Sequence, residues 1–343
     1  MKHPATADLR PYQQTESSFR KGTQNMPVRT ALALGSGGAR GYAHIGVINA
    51  LQDRGCQIVS VAGSSMGALV GGVFAAGQLD SFTEWVLGLS RRGVLRQVDP
   101  SHTTAGVIRA ERVLASMAEF VGDRRIEDLP VRFTAVAVDL LAGREVWLAE
   151  GPLDRAIRAS IGMPAVFTPV VINGRLYVDG GVLNPVPVAA TAAANAELVV
   201  AVSLHGPPRG RSATPGRESP DRRPAAEWWS HFRTNVAEVL GVDEVGGLMQ
   251  HKGPTRPSTT GTSPELDSES LPAVGLLEVM TLSLDAAESA LTRYSLAAHA
   301  PDVLITVPKD ACRTADFHRA AELIDLGQEL AGRALDRVPF EQA

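Results

Sequence analysis

Cysteine is almost missing from this chain. Two residues, Cys56 and Cys312, stand in 343. They have no metal-ligand spacing and are too few for a disulfide scaffold, so a reducing compartment is the expectation. A dominant charge is missing too. Lys and Arg number 33 against 37 Asp and Glu, a net charge of −4. Without a basic field, nucleic acid is not an expected partner. No apolar run is long enough to span a bilayer. Met1 to Pro27 is polar and has no apolar core of the signal-peptide kind. These absences point to a cytoplasmic protein, with peripheral contact at the inner membrane surface left open.

What is present is apolar and rich in glycine. Hydrophobic residues make up 44% and glycines number 33, enough for a substantial α/β core. Residues 1–28 lack periodicity and read as a disordered arm. Order is expected from Thr30–Leu34, an apolar strand that runs into Gly35-Ser36-Gly37-Gly38-Ala39-Arg40-Gly41. A helix from about Tyr42 to Arg54 follows, stopped by Gly55. A β-branched strand, Ile58–Ala62, then leads into Gly63-Ser64-Ser65-Met66-Gly67 and a small-residue helix to Ala76. Strand, loop, helix, strand, loop, helix is the opening of a mainly parallel sheet with covered faces.

Gly63-Ser64-Ser65-Met66-Gly67 matches G-x-S-x-G, the nucleophile elbow. So tight a strand-to-helix turn holds a serine hydroxyl out of the sheet, beside free N–H groups at a helix start. A glycine-rich joint without chemistry would look the same, so the flanking strand and helix carry the argument. The glycine loop lacks the last glycine of G-x-G-x-x-G, because Arg40 stands there, and it lacks the Gly-Lys-Ser/Thr of a P-loop. An oxyanion hole is the remaining chemistry, with backbone N–H groups free to approach a reacting carbonyl oxygen. Asp179 ends the short strand Arg175–Val178 and precedes Gly180-Gly181. It reads as a turn aspartate or as a base at the same sheet end as Ser65.

Taken in order, the glycine loop, the serine elbow and Asp179-Gly180-Gly181 resemble the patatin-like phospholipase family, in its short bacterial form. The resemblance is dense from Thr30 to Leu204 and resumes weakly from Asp302 to Gly327. It implies a three-layer α/β/α sandwich with a mainly parallel central sheet. It implies a Ser–Asp dyad, with Ser65 as nucleophile, Asp179 as base, and the amides of Gly37 and Gly38 in the oxyanion hole. Arg40 matches the family's basic position and is grouped with the hole. Gly63, Gly67, Gly180 and Gly181 complete the motifs. Ser36 stands where the plant-type pattern has its first glycine and is left out of the hole. The implied reaction is hydrolysis of a lipid acyl ester through an acyl-enzyme, with no cofactor or metal. Acyl chain, headgroup and oligomeric state are not legible.

Two rivals stand beside this reading. An α/β-hydrolase would use His205, at the end of the apolar strand Leu198–Leu204, as its base. A lipid-binding scaffold would keep the fold without the reaction. His44 and His318 read as ordinary helix residues.

The remaining elements are coarser. Trp85, Val86 and Leu89 mark one helix, and Val113, Leu114 and Met117 another. Arg132–Leu140 and Glu145–Leu148 pair across Ala142-Gly143, and Leu153–Ser160 is a helix broken by Gly162-Met163-Pro164. Val188–Ala196 reads as an alanine-rich helix. The catalytic domain is expected over 29–205. Residues 206–270 read as a flexible insert whose Trp228-Trp229 pair and Arg209, Arg211, Arg217, Arg222 and Arg223 bear on membrane contact. From 271 to 343, a helix, a strand and a helix complete the domain. The first shows a stripe, Leu277, Met280, Leu284, Ala287, Leu291, Tyr294 and Ala298, expected to face inward.

Overall fold

The computed structural model describes residues 27–90, 99–100, 108–109, 116, 119–164, 167–209 and 276–338. Residues 1–26 of the N-terminal arm, Val113, Leu114 and Met117 of the expected helix and nearly all of the expected insert, including Trp228-Trp229 and every insert arginine except Arg209, lie outside them.

The elements in order are β1 (Arg29–Leu34), α1 (Ala43–Asp53), β2 (Gln57–Ser64), α2 (Met66–Ala75), α3 (Leu79–Leu87) and the short strands β3 (Asp99–Pro100) and β4 (Ile108–Arg109). Then come β5 (Arg132–Asp139), β6 (Arg144–Leu148), α4 (Leu153–Ser160), β7 (Val170–Ile172), β8 (Arg175–Asp179), β9 (Leu198–Gly206), α5 (Leu276–Ala298), β10 (Val303–Pro308) and α6 (Ala320–Leu335). The main sheet runs β10-β9-β1-β2-β5-β8-β7, with β6 also paired to β5. The five strands from β10 to β5 are parallel. β6, β7 and β8 join antiparallel. This is the mainly parallel α/β/α sandwich expected from the sequence.

Residue size assigns the two faces. Leu32, Leu34, Val61, Val200, Val202 and Leu204 pack with α1, α2, α3 and α6 in the main core. The alternate residues Ala33, Ala62 and Ala201 point the other way, towards Val186, Val188 and Ala190. Alanine on that face lets the 186–191 segment lie close to the sheet. The alanine-rich helix expected there is only a 3-10 turn, Val188–Thr191. The segment winds instead by bonds three residues back: Ala190 N donates to Pro187 O, Ala192 N to Ala189 O and Ala194 N to Thr191 O, and arginines brace its far end. Ala193 O accepts from Arg132 Nη1 at 2.8 Å and Asn195 O from Arg29 Nε at 2.9 Å.

A second difference concerns α5. Its inward, buried positions are Glu288 and Thr292, with Asp285 and Ser295 beside them, whereas Met280 and Tyr294 of the expected apolar stripe are exposed. The helix covers the end of β9 and the turn Gly180–Val182. Polar groups line its inner face at Glu288 and Thr292, while Leu296 packs on the small apolar cluster of Ala33, Val186, Val188 and Ala201. His318 lies in the turn ahead of α6, not in the helix.

The decisive topological feature is the use of one edge of β5. β2 pairs with β5 up to Ser64 opposite Val136. β8 takes over with Asp179 opposite Ala137 and runs back to Tyr177 opposite Asp139. β6 occupies Ala135–Asp139 on the other edge. So β2 and β8 meet tip to tip. Asp179 reaches the end of β2 because β8 is antiparallel and placed beyond it, not because parallel strands end together.

Helices α1 and α6 cross with backbones in contact. A Cβ on Gly46 would lie 1.9 Å from Ile324 O, and one on Gly327 would lie 2.0 Å from Ala43 O. Gly332, also in α6, meets only Arg54 Nη2 at 3.5 Å. Gly46→Ala should therefore destabilise the fold by about 3 kcal/mol through overpacking. Gly332→Ala should be neutral or gain up to about 1 kcal/mol from helix propensity. Urea unfolding of the two variants measures both.

Candidate active site

Ser65 sits between β2 and α2 at φ 56, ψ −122, in the left-handed half of backbone space that side chains other than glycine rarely enter. The flanking glycines are required by contact. A Cβ on Gly63 would be 2.3 Å from the Gly67 carbonyl group, and one on Gly67 would be 2.1 Å from Leu34 O. The serine does not cap α2 with its side chain, so Oγ is free of that task. Its backbone N–H donates to Ser160 Oγ at 3.0 Å, and Ser160 Oγ donates to Val136 O at 2.6 Å. Ser160, fully buried at the end of α4, was not picked out from the sequence. A serine two residues before the Gly162-Met163-Pro164 break was the available signal.

Asp179 is 1% exposed. Its backbone N–H donates to Gly162 O at 3.0 Å, so the break after α4 also anchors the aspartate. Oδ1 accepts from Gly181 N at 2.7 Å. Oδ2 is buried without a hydrogen bond of regular geometry among the described residues. Burial first, then the negative charge of Glu288, pushes the Asp179 carboxyl up to about 7; the Ser65 side chain and the Gly181 N–H pull the other way. The Ser65 hydroxyl is thus close enough to favour the charged carboxylate.

In the glycine loop, Gly35 N donates to Val202 O at 3.0 Å, Ser36 N to Pro185 O at 2.8 Å and Ala39 N to Thr314 O at 2.9 Å. Between these fixed points, the N–H groups of Gly37 and Gly38 have no acceptor among the described residues. Both residues have positive φ, 153 and 57. The Arg40 side chain is buried and braces the loop. Nε donates to Gly37 O at 3.2 Å, Nη1 donates to Lys309 O at 3.4 Å, and Nη2 lies 3.7 Å from Asp285. His44 is also a brace. Its Nε2 lies 2.9 Å from Gly35 O, which can only accept, so Nε2 carries the proton, and burial lowers the imidazole to about 4.

His205 lies at the end of β9, with β1 between that strand and β2. Its Nε2 is 3.1 Å from Glu288 Oε2, a short contact whose alignment falls outside that of a regular hydrogen bond, and 4.0 Å from Asp285. Among the described residues it makes no hydrogen bond to Ser65. Glu288 was missed in the sequence, although Asp285, Glu288, Thr292 and Ser295 step by three and four as regularly as the apolar stripe. His, Cys, Asp and Glu side chains nowhere gather in the threes that hold a metal ion, among the described residues.

The sequence profile described as patatin-like phospholipase matches residues 32–192, which contain the elbow, the glycine loop and Asp179. A Mycobacterium tuberculosis protein described as "Uncharacterized NTE family protein" is 44% identical over 334 residues, covering 90% of this chain and 91% of its own length. The chain belongs to the patatin/NTE family. Within the family, a lysophospholipase of Yarrowia lipolytica is 32% identical over 181 residues, 50% of this chain and 12% of that protein. The crystal structure of VipD from Legionella pneumophila aligns at TM-score 0.40 and 15% identity, over 91% of this chain and 67% of that one. Lipid acyl-ester hydrolysis is the family's general activity.

The buried Asp179 has a consequence for stability. Its folded pKa is above the unfolded value, so the folded state binds a proton that the unfolded state releases between about pH 4 and 7. Stability from this group is present at low pH and lost as pH rises through 7. Asp179→Asn should therefore be more stable than wild type at pH 8, by on the order of 1–3 kcal/mol. The gain should shrink towards pH 5, as read by thermal unfolding across that range.

Proposed function

We propose that the protein is a serine lipid acyl hydrolase working through a Ser65–Asp179 dyad. The observation that carries this reading is the tip-to-tip meeting of β2 and β8, which sets a strained, uncapped serine beside a buried carboxylate with a free oxygen. Serine is a weak nucleophile until a base takes its proton. Ser65 Oγ attacks the ester carbonyl carbon and its proton passes to Asp179 Oδ2. The carbonyl oxygen becomes an oxyanion facing the Gly37 and Gly38 N–H groups, each such donor typically worth about 10²–10³ in rate. Collapse expels the alcohol with the proton from Asp179, leaving Ser65 acylated. Water, deprotonated by the same carboxylate, then releases the fatty acid.

A lipid substrate is supported by the family and by the lysophospholipase relative. Apolar surface beside the site also favours it. Leu183 follows Asp179-Gly180-Gly181 and is 39% exposed, and Trp147, in register with Val136, is 50% exposed. We extend the reading to phospholipid or lysophospholipid esters met at a membrane surface.

A small organophosphonate should label the protein once, at Ser65, and Ser65→Ala should abolish both labelling and turnover. Asp179→Asn should lower kcat/KM by on the order of 10³-fold or more, while His205→Ala costs less than about ten-fold. The pH profile does not separate these bases. Asp179 at about 7 puts the loss of activity on acidification close to where an ordinary histidine, about 6.5, would put it. A His205→Ala protein as inactive as Ser65→Ala, with a native circular dichroism spectrum, would replace the dyad with a triad.

A further inference from the structure

Helix α5 brings a second buried carboxylate to the site. Glu288 is 6% exposed. Its Oε2 accepts from Ser36 Oγ at 3.0 Å and lies 3.1 Å from His205 Nε2. Ser36 in turn stands against the turn that holds the base. A Cβ on Gly181 would lie 2.8 Å from Ser36 Oγ and 3.1 Å from Asp179 Oδ1. The Gly181 N–H is the donor to Asp179. A continuous path of contacts thus runs from α5 through Ser36 and Gly181 to Asp179.

We propose that Glu288 is a positioning residue for the Ser65–Asp179 chemistry, acting from α5 through Ser36 and His205 without touching substrate. The proposal rests on Ser65 and Asp179 being the reacting pair. A helix that needed only an anchor would be served by an apolar side chain here, since a buried carboxylate must recover the hydration it loses. Glu288 instead places a second carboxylate near Asp179, and its charge adds to the burial that already raises the proton affinity of Asp179. A stronger carboxylate base is a better match for a serine proton. The titratable and charged groups around Glu288 are His205 from β9, Asp285 one turn earlier on α5, Arg40 from the glycine loop reaching Asp285, and Asp179 itself.

The test is the pH dependence of kcat/KM for Glu288→Gln, Glu288→Met and Glu288→Asp, with Ser65→Ala and Asp179→Asn as controls. Loss of the charge weakens Asp179 as a base and lets it ionise at lower pH. In Glu288→Gln the acidic limb should move down by on the order of half a pH unit or more. The plateau of kcat should fall about three- to ten-fold, with KM within about two-fold of wild type. Glu288→Met tests the same charge without leaving an amide to be satisfied, and should move the limb in the same direction. Glu288→Asp keeps the charge and should keep the limb. A folded Glu288→Gln or Glu288→Met protein whose limb coincides with wild type, or a Glu288→Asp limb displaced as far as theirs, would overturn the proposal and leave the dyad standing if Asp179→Asn is inactive. An Asp179→Asn protein with wild-type turnover would remove the dyad itself.

Discussion

One edge of β5 has to serve two strands. β2 uses it as far as Val136, and β8 uses it from Ala137 onward. Two strand tips facing one another leave the chain no room to continue straight after Ser64. It must turn back at once into α2, and the turn is so tight that Gly63 and Gly67 touch each other and the end of β1. The positive φ of Ser65 follows from that constraint, and so does the delivery of Asp179 from the opposite direction. Ser160 fastens the junction from α4 by bonding both Ser65 N and Val136 O.

This arrangement costs stability locally. A serine in a strained backbone conformation and a buried carboxylate oxygen without a regular partner are each unfavourable by a few kcal/mol at most. The surrounding structure over-determines both. The main core gathers β1, β2 and β9 with α1, α2, α3 and α6, and the glycine contacts between α1 and α6 hold that layer close. Strain and a poorly satisfied carboxylate are tolerated because the rigid sheet beneath them does not yield. Burial in these closed surroundings, with the charge of Glu288 second, keeps Asp179 protonatable near neutral pH.

Several elements were legible because their signals are local. The strand before the elbow, the helix after it, the β5–β6 pair across Ala142-Gly143 and the helix Leu153–Ser160 all appear where composition and periodicity put them. The β7–β8 hairpin was overlooked although Asn173-Gly174 between its strands is a strong two-residue turn signal; Asn173 adopts φ 52. Val188–Ala196 is not a helix: it lies close on the alanine face of the sheet and winds by bonds three residues back. α5 formed as expected but turned Glu288 and Thr292 inward, Glu288 meeting Ser36 and His205, with Leu296 on the apolar cluster beside them.

The sequence by itself determined the parallel α/β architecture and the three motifs, since strand length, β-branching and glycine spacing act within a few residues of each other. It also carried the family, through the order of those motifs. It did not determine that Asp179 lies at the tip of β2, because register between β5, β2 and β8 is set by pairing across 43 to 72 positions of chain, as Val136, Asp179 and Ser64 are numbered. Nor did it show that Ser160, His44 and Glu288 support the site. Each is an unremarkable residue in a helix until tertiary packing removes its water and leaves Ser65 N, Gly35 O or Ser36 Oγ as the partner within reach.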